Sequence, residues 1–126
     1  MKLNSFPIIK DRRLKVGLVG CGRISKNHFS SILQYPDDLE LAAICDIDID
    51  AFNHKASEFG VNGYIELQDM LCNEALDLVV LCTPSGLHHK QAVLAAKHGV
   101  HIVSEKPMAT RYADGLKMVE ACDEAG

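Results

Sequence analysis

The chain has 126 residues, 48% of them hydrophobic, 24% charged and 6% aromatic, with a net charge of −4. That length suits one domain, those fractions exclude a globally disordered chain, and the acidic balance gives a nucleic-acid backbone nothing to bind. Apolar runs such as Leu76–Cys82 fall far short of the ~20 residues of a membrane span.

Five cysteines in no repeating spacing do not describe a disulfide framework, and residues 1–13 lack the apolar core of a signal peptide. A reduced, cytoplasmic domain is the expectation. Residues 1–13 show no period and are interrupted by Pro7, so they read as a loose arm ahead of a domain over residues 14–126.

Lys15–Val19 is a β-rich run that stops at a glycine cluster. Ile24–Tyr35 has helical spacing and ends before Pro36. Leu39–Cys45 reads as a buried strand, and Asp50–Phe59 as a helix closed by Gly60. Gly63–Ile65 is a short strand, Leu67–Leu71 a short helix, and Leu76–Leu81 a strong strand. Leu87–His98 is helical with Gly99 as its stop, and Val100–Ser104 is the fifth strand. Thr110 could cap a last helix running to Ala125.

Strand and helix alternate throughout, which predicts an α/β fold: a doubly wound parallel sheet with helical crossovers. The pattern also breaks off before a sixth strand, as expected of the front end of a larger enzyme.

Gly20-Cys21-Gly22-Arg23-Ile24-Ser25 follows the first strand and opens the first helix. Gly20 permits a tight turn, and Gly22 lets a pyrophosphate approach the backbone. Small Ser25, in the third glycine's place, allows close packing. The N–H groups of a helix start at Arg23 and Ile24 then face the phosphates. The bland alternative is a glycine turn without a ligand.

Asp46 lies 24 residues after Gly22, where a carboxylate meets the adenosine ribose, or else it caps a helix beside Asp48 and Asp50. A ribose-facing Asp46 repels a 2′-phosphate, so NAD is expected rather than NADP. Thr83-Pro84-Ser85 follows the fourth strand and Glu105-Lys106-Pro107 the fifth. All these positions fall at carboxyl ends of strands, the edge where open α/β sheets bind ligands. Lys106 could steady a reacting oxygen or, if partly buried, move a proton; otherwise Glu105–Lys106 is a surface ion pair. No Cys-x-x-Cys or His-x-x-x-His spacing occurs, so no metal site is expected.

GCGRIS with His28 in the following helix, AAICDID, CTPSGLHHKQA and SEKPMA together resemble the glucose–fructose oxidoreductase / inositol 2-dehydrogenase (Gfo/Idh/MocA) family, over residues 14–126. The resemblance implies a Rossmann domain followed by a second α/β domain. It also implies hydride transfer between NAD(P) and a secondary alcohol of a sugar or cyclitol, in a protein that is often a homo-oligomer. It implies that Lys106 is the active-site lysine, that Glu105 lies beside the nicotinamide ribose, and that His88 packs and positions a loop near the cofactor. Ser85 stands where many members have Asn.

The histidine that moves the alcohol proton would come from the second domain, so residues 1–126 alone are expected to be inactive. Within the family, the arm and the S-G-L-H-H wording are similar to 3-dehydrogenases of UDP-linked amino-uronic acids in lipopolysaccharide and related surface-polysaccharide pathways. Two other readings remain: a non-catalytic nucleotide-sensing regulator on the same fold, and a methyltransferase, which would have no use for Thr83-Pro84 or Glu105-Lys106-Pro107.

Overall fold

The structure, a computed structural model, describes residues 8–126; residues 1–7 of the expected arm lie outside the described residues. Five strands form one sheet: β1 (Leu14–Val19), β2 (Leu39–Cys45), β3 (Asn62–Tyr64), β4 (Leu78–Leu81) and β5 (His101–Ser104). The spatial order is β3-β2-β1-β4-β5, and every pairing is parallel. Four helices make the connections, α1 (Ser25–Gln34), α2 (Ile49–Phe59), α3 (Leu67–Asn73) and α4 (His88–Lys97), and α5 (Tyr112–Ala125) follows the last strand. This is the expected doubly wound sheet, with β1 and β4 adjacent where the strand order reverses.

Parallel strands covered on both faces must be apolar on both, which explains runs such as LVVL in β4. Val16, Leu18, Ile44 and Val80 face Phe29, Ile32 and Phe52 of α1 and α2. Val19, Ala43, Val79 and Leu81 face Met70, Ala92, Ala95 and Met118 of α3, α4 and α5. Leu18, Ala43, Ile44, Val79 and Leu81 are completely buried. Among the described residues, no helix is long and apolar enough to cross a membrane.

Most element boundaries shift by one or two residues from the sequence expectation, and three of the differences have clear local reasons. Asp48 caps α2 by accepting from the N–H groups of Asp50 (3.0 Å) and Ala51 (3.2 Å), which starts that helix at Ile49. Residues Ser85–Leu87 form a single 3₁₀ turn before α4, closed by the Leu87 N–H on the Pro84 carbonyl. Thr110 does not cap α5: the cap position is Arg111, whose carbonyl accepts from the N–H groups of Asp114 and Gly115.

Residues 8–13 are exposed and belong to no helix or strand, but they are anchored. Arg12 grips Asp77 with two hydrogen bonds, 2.6 and 2.8 Å, and Asp77 also accepts from the Lys15 N–H at 2.8 Å. The hydrogen bonds from Arg12 hold the Asp77 carboxyl down at about 2. A carboxylate favoured in this way stabilises the fold above its ordinary value of 3.8 and stops doing so as pH falls toward 2. Because Arg12 is half-exposed, solvent screening limits the contribution to about 1 kcal/mol. Denaturant melts of the wild type and Asp77→Asn should differ by that amount at neutral pH and converge near pH 2; a gap that persists in acid would refute the assignment.

Candidate dinucleotide site

The strand register brings the predicted positions onto one rim. Val19 pairs with Cys45 on one side and Leu81 on the other, and Leu81 pairs with Ser104. The next residue of each strand is therefore Gly20, Asp46, Cys82 or Glu105, all at the carboxyl edge. The ladder continues past the strands: Gly20 N–H reaches Cys45 O, Cys82 N–H reaches Val19 O, and Glu105 N–H reaches Leu81 O, at 2.7 to 3.0 Å.

The two loop glycines have different reasons to be glycine. Gly20 adopts φ +92°, and a Cβ there would lie 2.8 Å from the Cys82 carbonyl carbon. The turn cannot pass β4 with any side chain in that place. At Gly22 a Cβ would meet nothing within 4 Å, so the fold itself does not require a glycine. The open space in front of Gly22 is where a ligand backbone can approach.

Ser25 is completely buried and its hydroxyl donates to the Gly22 carbonyl, which fixes the loop from beneath. The N–H groups of Gly22, Arg23 and Ile24 find no partner among the described residues and are the free donors of a helix start.

Asp46 is bound more tightly than its spacing implied. One carboxylate oxygen accepts the Cys21 N–H at 2.7 Å and the other accepts the Asp48 N–H at 2.8 Å. Asp48, not Asp46, is the helix cap, so Asp46 faces the glycine loop. Two of its roughly four acceptor positions remain available to hydroxyl donors. Lys55, the nearest following cation in the sequence, bonds Glu58 at 3.1 Å and lies over the Phe29 and Phe59 rings.

A cavity of about 730 Å³ opens at this rim, the size of a small-molecule site. Gly20, Gly22, Arg23, Ile24, Asp46, Thr83 and Pro84 line it as expected. Ser85, His88, Glu105 and Lys106 do not. Sequence reasoning missed Ile47, Glu66 and a stripe of α4 and the turn before it, Leu87, Gln91 and Leu94, which forms one wall. The helical spacing of that stripe was the available signal. Gln91 also accepts the Thr83 hydroxyl, tying the end of β4 to α4.

The four residues outside the cavity sit in the segments that follow β4 and β5. His88 is buried and reaches the Thr83 carbonyl with one ring nitrogen (2.8 Å) and the Pro107 carbonyl with the other (2.9 Å). It thereby joins the loops after β4 and β5. Glu105 does not pair with the Lys106 ammonium. Its carboxylate meets His28 Nε2 of α1 at 2.7 Å, and that hydrogen bond holds the Glu105 carboxyl below its usual range. The other oxygen accepts the Lys106 backbone N–H at 3.3 Å. The Lys106 side chain is left exposed, next to a cis peptide bond to Pro107.

Burial pushes the Cys21 thiol up to about 11 and those of Cys45 and Cys82 up to about 12, so none supplies a thiolate near neutral pH. No group of His, Cys, Asp and Glu suits a metal ion among the described residues.

Open space beside unpartnered backbone donors, a fixed carboxylate at the neighbouring strand end and a cavity of this size fit a dinucleotide. The WlbA dehydrogenase of Bordetella pertussis, solved with NADH and UDP-GlcNAcA, is 52% identical with a TM-score of 0.92. The similarity covers 94% of this chain and 34% of that one. The WlbA enzyme of Chromobacterium violaceum, solved with the same pair of ligands, is 45% identical with a TM-score of 0.94, over 96% and 35% of the two chains. D-apiose dehydrogenase of Paraburkholderia graminis is 36% identical over 91% of this chain and 31% of its own length. The chain thus spans about a third of the length of these relatives. The sequence model of the GFO_IDH_MocA oxidoreductases, described as an NAD-binding Rossmann fold, matches residues 14–126. The chain belongs to this oxidoreductase family and is its NAD-binding Rossmann domain.

Proposed function

We propose that this domain holds NAD for a dehydrogenase that oxidises a ring secondary alcohol, at C3, of a UDP-linked amino-uronic acid in lipopolysaccharide or related polysaccharide synthesis. The observation that carries the reading is the single rim on which Asp46, Gly22, Thr83 and Lys106 follow neighbouring strands in the order β2-β1-β4-β5. The identity to two enzymes solved with NADH and UDP-GlcNAcA supports the substrate class.

In this reading the amides at Gly22, Arg23 and Ile24 bind the pyrophosphate, and Asp46 accepts from the adenosine ribose. Thr83, Pro84 and Ser85 flank the nicotinamide half, which Glu105 orients. When bound, NAD supplies the hydride acceptor. Lys106 extends from the rim as a cation that donates a hydrogen bond to the substrate oxygen and stabilises the charge developing there. The alcohol proton goes to a base in the rest of the protein. We place the enzyme in the cytoplasm, as a homo-oligomer.

The intact protein should form NADH when given NAD and UDP-GlcNAcA. Turnover confined to free sugars, with none on the nucleotide sugar, would refute the substrate class.

Calorimetry of the protein should show NAD binding more than tenfold tighter than NADP. A 2′-phosphate ~4 Å from the fixed Asp46 carboxylate costs up to about 4 kcal/mol at an effective dielectric of ~20, and half of that exceeds a tenfold ratio. Lys55 does not offset this, being held by Glu58 and two rings. Equal affinity for the two cofactors would remove Asp46 from the ribose.

A further inference from the structure

Lys106 is bracketed. Its preceding residue, Glu105, is held from α1 by His28, and its following residue, Pro107, is held from α4 by His88. The two helices lie on opposite faces of the sheet, so each face grips the β5 end once. His28 and Glu105 are about three-quarters buried at the side chain, a setting in which a charge-assisted hydrogen bond is worth more than in water. Apart from the Lys106 backbone N–H, this is the carboxylate's only hydrogen-bond partner among the described residues. Without it, the Glu105 carboxylate would be free to swing or to pair with the neighbouring lysine ammonium.

We propose that His28 is a positioning residue for the nicotinamide half of the site. By holding the Glu105 carboxylate it keeps that group aimed along the rim and leaves the Lys106 ammonium unpaired. The glycine-loop helix, whose first turn faces the phosphates, would then also set the far end of the cofactor site one turn later. One element would couple the two halves. The inference rests on the proposed path of the dinucleotide from Gly22 to Lys106.

The test compares affinities for NADH and for ADP in the intact protein, its His28→Ala variant and its His28→Gln variant. ADP occupies only the adenosine and pyrophosphate part. His28→Ala should weaken NADH about tenfold, the scale of one charge-assisted hydrogen bond, and leave ADP unchanged. His28→Gln, which places an amide donor near the former Nε2, should recover most of the loss.

Unchanged NADH affinity in His28→Ala would overturn the proposal. So would an equal loss for ADP and NADH, which would make His28 a support of the glycine loop alone. If the wild type binds NADH no more tightly than ADP, the proposed path of the cofactor fails first and the inference with it. That result is distinguishable because it needs no variant.

Discussion

Lys106→Ala in the intact protein is expected to lower turnover by about 10²- to 10⁴-fold, the range for a positioned proton donor or charge-stabilising group, with NAD affinity almost unchanged. The separation of the two effects follows from the geometry. Lys106 lies outside the cavity lined by the glycine loop, and its ammonium pairs with no carboxylate among the described residues. Its loss therefore removes a cation without releasing a buried partner, and the fold should be indifferent. Lys106→Arg should restore only part of the rate, because a planar guanidinium places its donors differently from a compact ammonium. Steady-state rates alongside calorimetric NAD binding decide the matter. Near-normal turnover in Lys106→Ala would reduce the residue to a structural one.

Gly20→Ala and Gly22→Ala, two positions apart, should fail in opposite ways. At Gly20 the backbone is left-handed, which costs an L-residue about 1–2 kcal/mol, and the new methyl would press on the main chain of Cys82 and Thr83. Main chain at the end of a central strand cannot move aside without breaking the ladder beside it. A total loss of 3 kcal/mol or more, on the order of the larger single-residue effects, is expected in denaturant melts.

At Gly22 the methyl enters open space. The melt should scarcely change, while NAD affinity should fall at least about tenfold, or 1.4 kcal/mol. A Gly22→Ala protein that binds NAD normally would show that nothing approaches that backbone.

Much of this architecture was legible because a parallel sheet covered on both faces leaves few options. Continuous apolar strands, helices with a 3.6-residue period and glycine stops at Gly60 and Gly99 are local signals with one physical reading each. The placing of Gly22, Asp46, Thr83 and Lys106 at carboxyl ends of strands followed from them, whereas the strand order comes from the pairings of the sheet.

What stayed hidden depends on contacts between distant parts of the chain. His28 and Glu105 are 77 residues apart, and nothing in either neighbourhood announces the other. Arg12 and Asp77, 65 apart, are the same kind of case: an arm without periodicity held by one bidentate pair. Asp46 was found by spacing, yet spacing alone left its role open between ribose ligand and helix cap. The hydrogen bonds of Asp48 decide which acid caps α2. Thr110 looked like a cap because hydroxyls favour that place, but Arg111 supplies the first carbonyl of α5.

The double latch on Asp46 has a practical meaning for anyone wishing to redesign cofactor preference. Exchanging this acid for an apolar residue would relieve the repulsion but also cut the tether to the Cys21 amide, slackening the loop that any pyridine nucleotide must use. A redesign does better to retain the acid and introduce a positive charge at its neighbour Ile47, which is 83% exposed at the mouth of the cavity and carries no part of the scaffold.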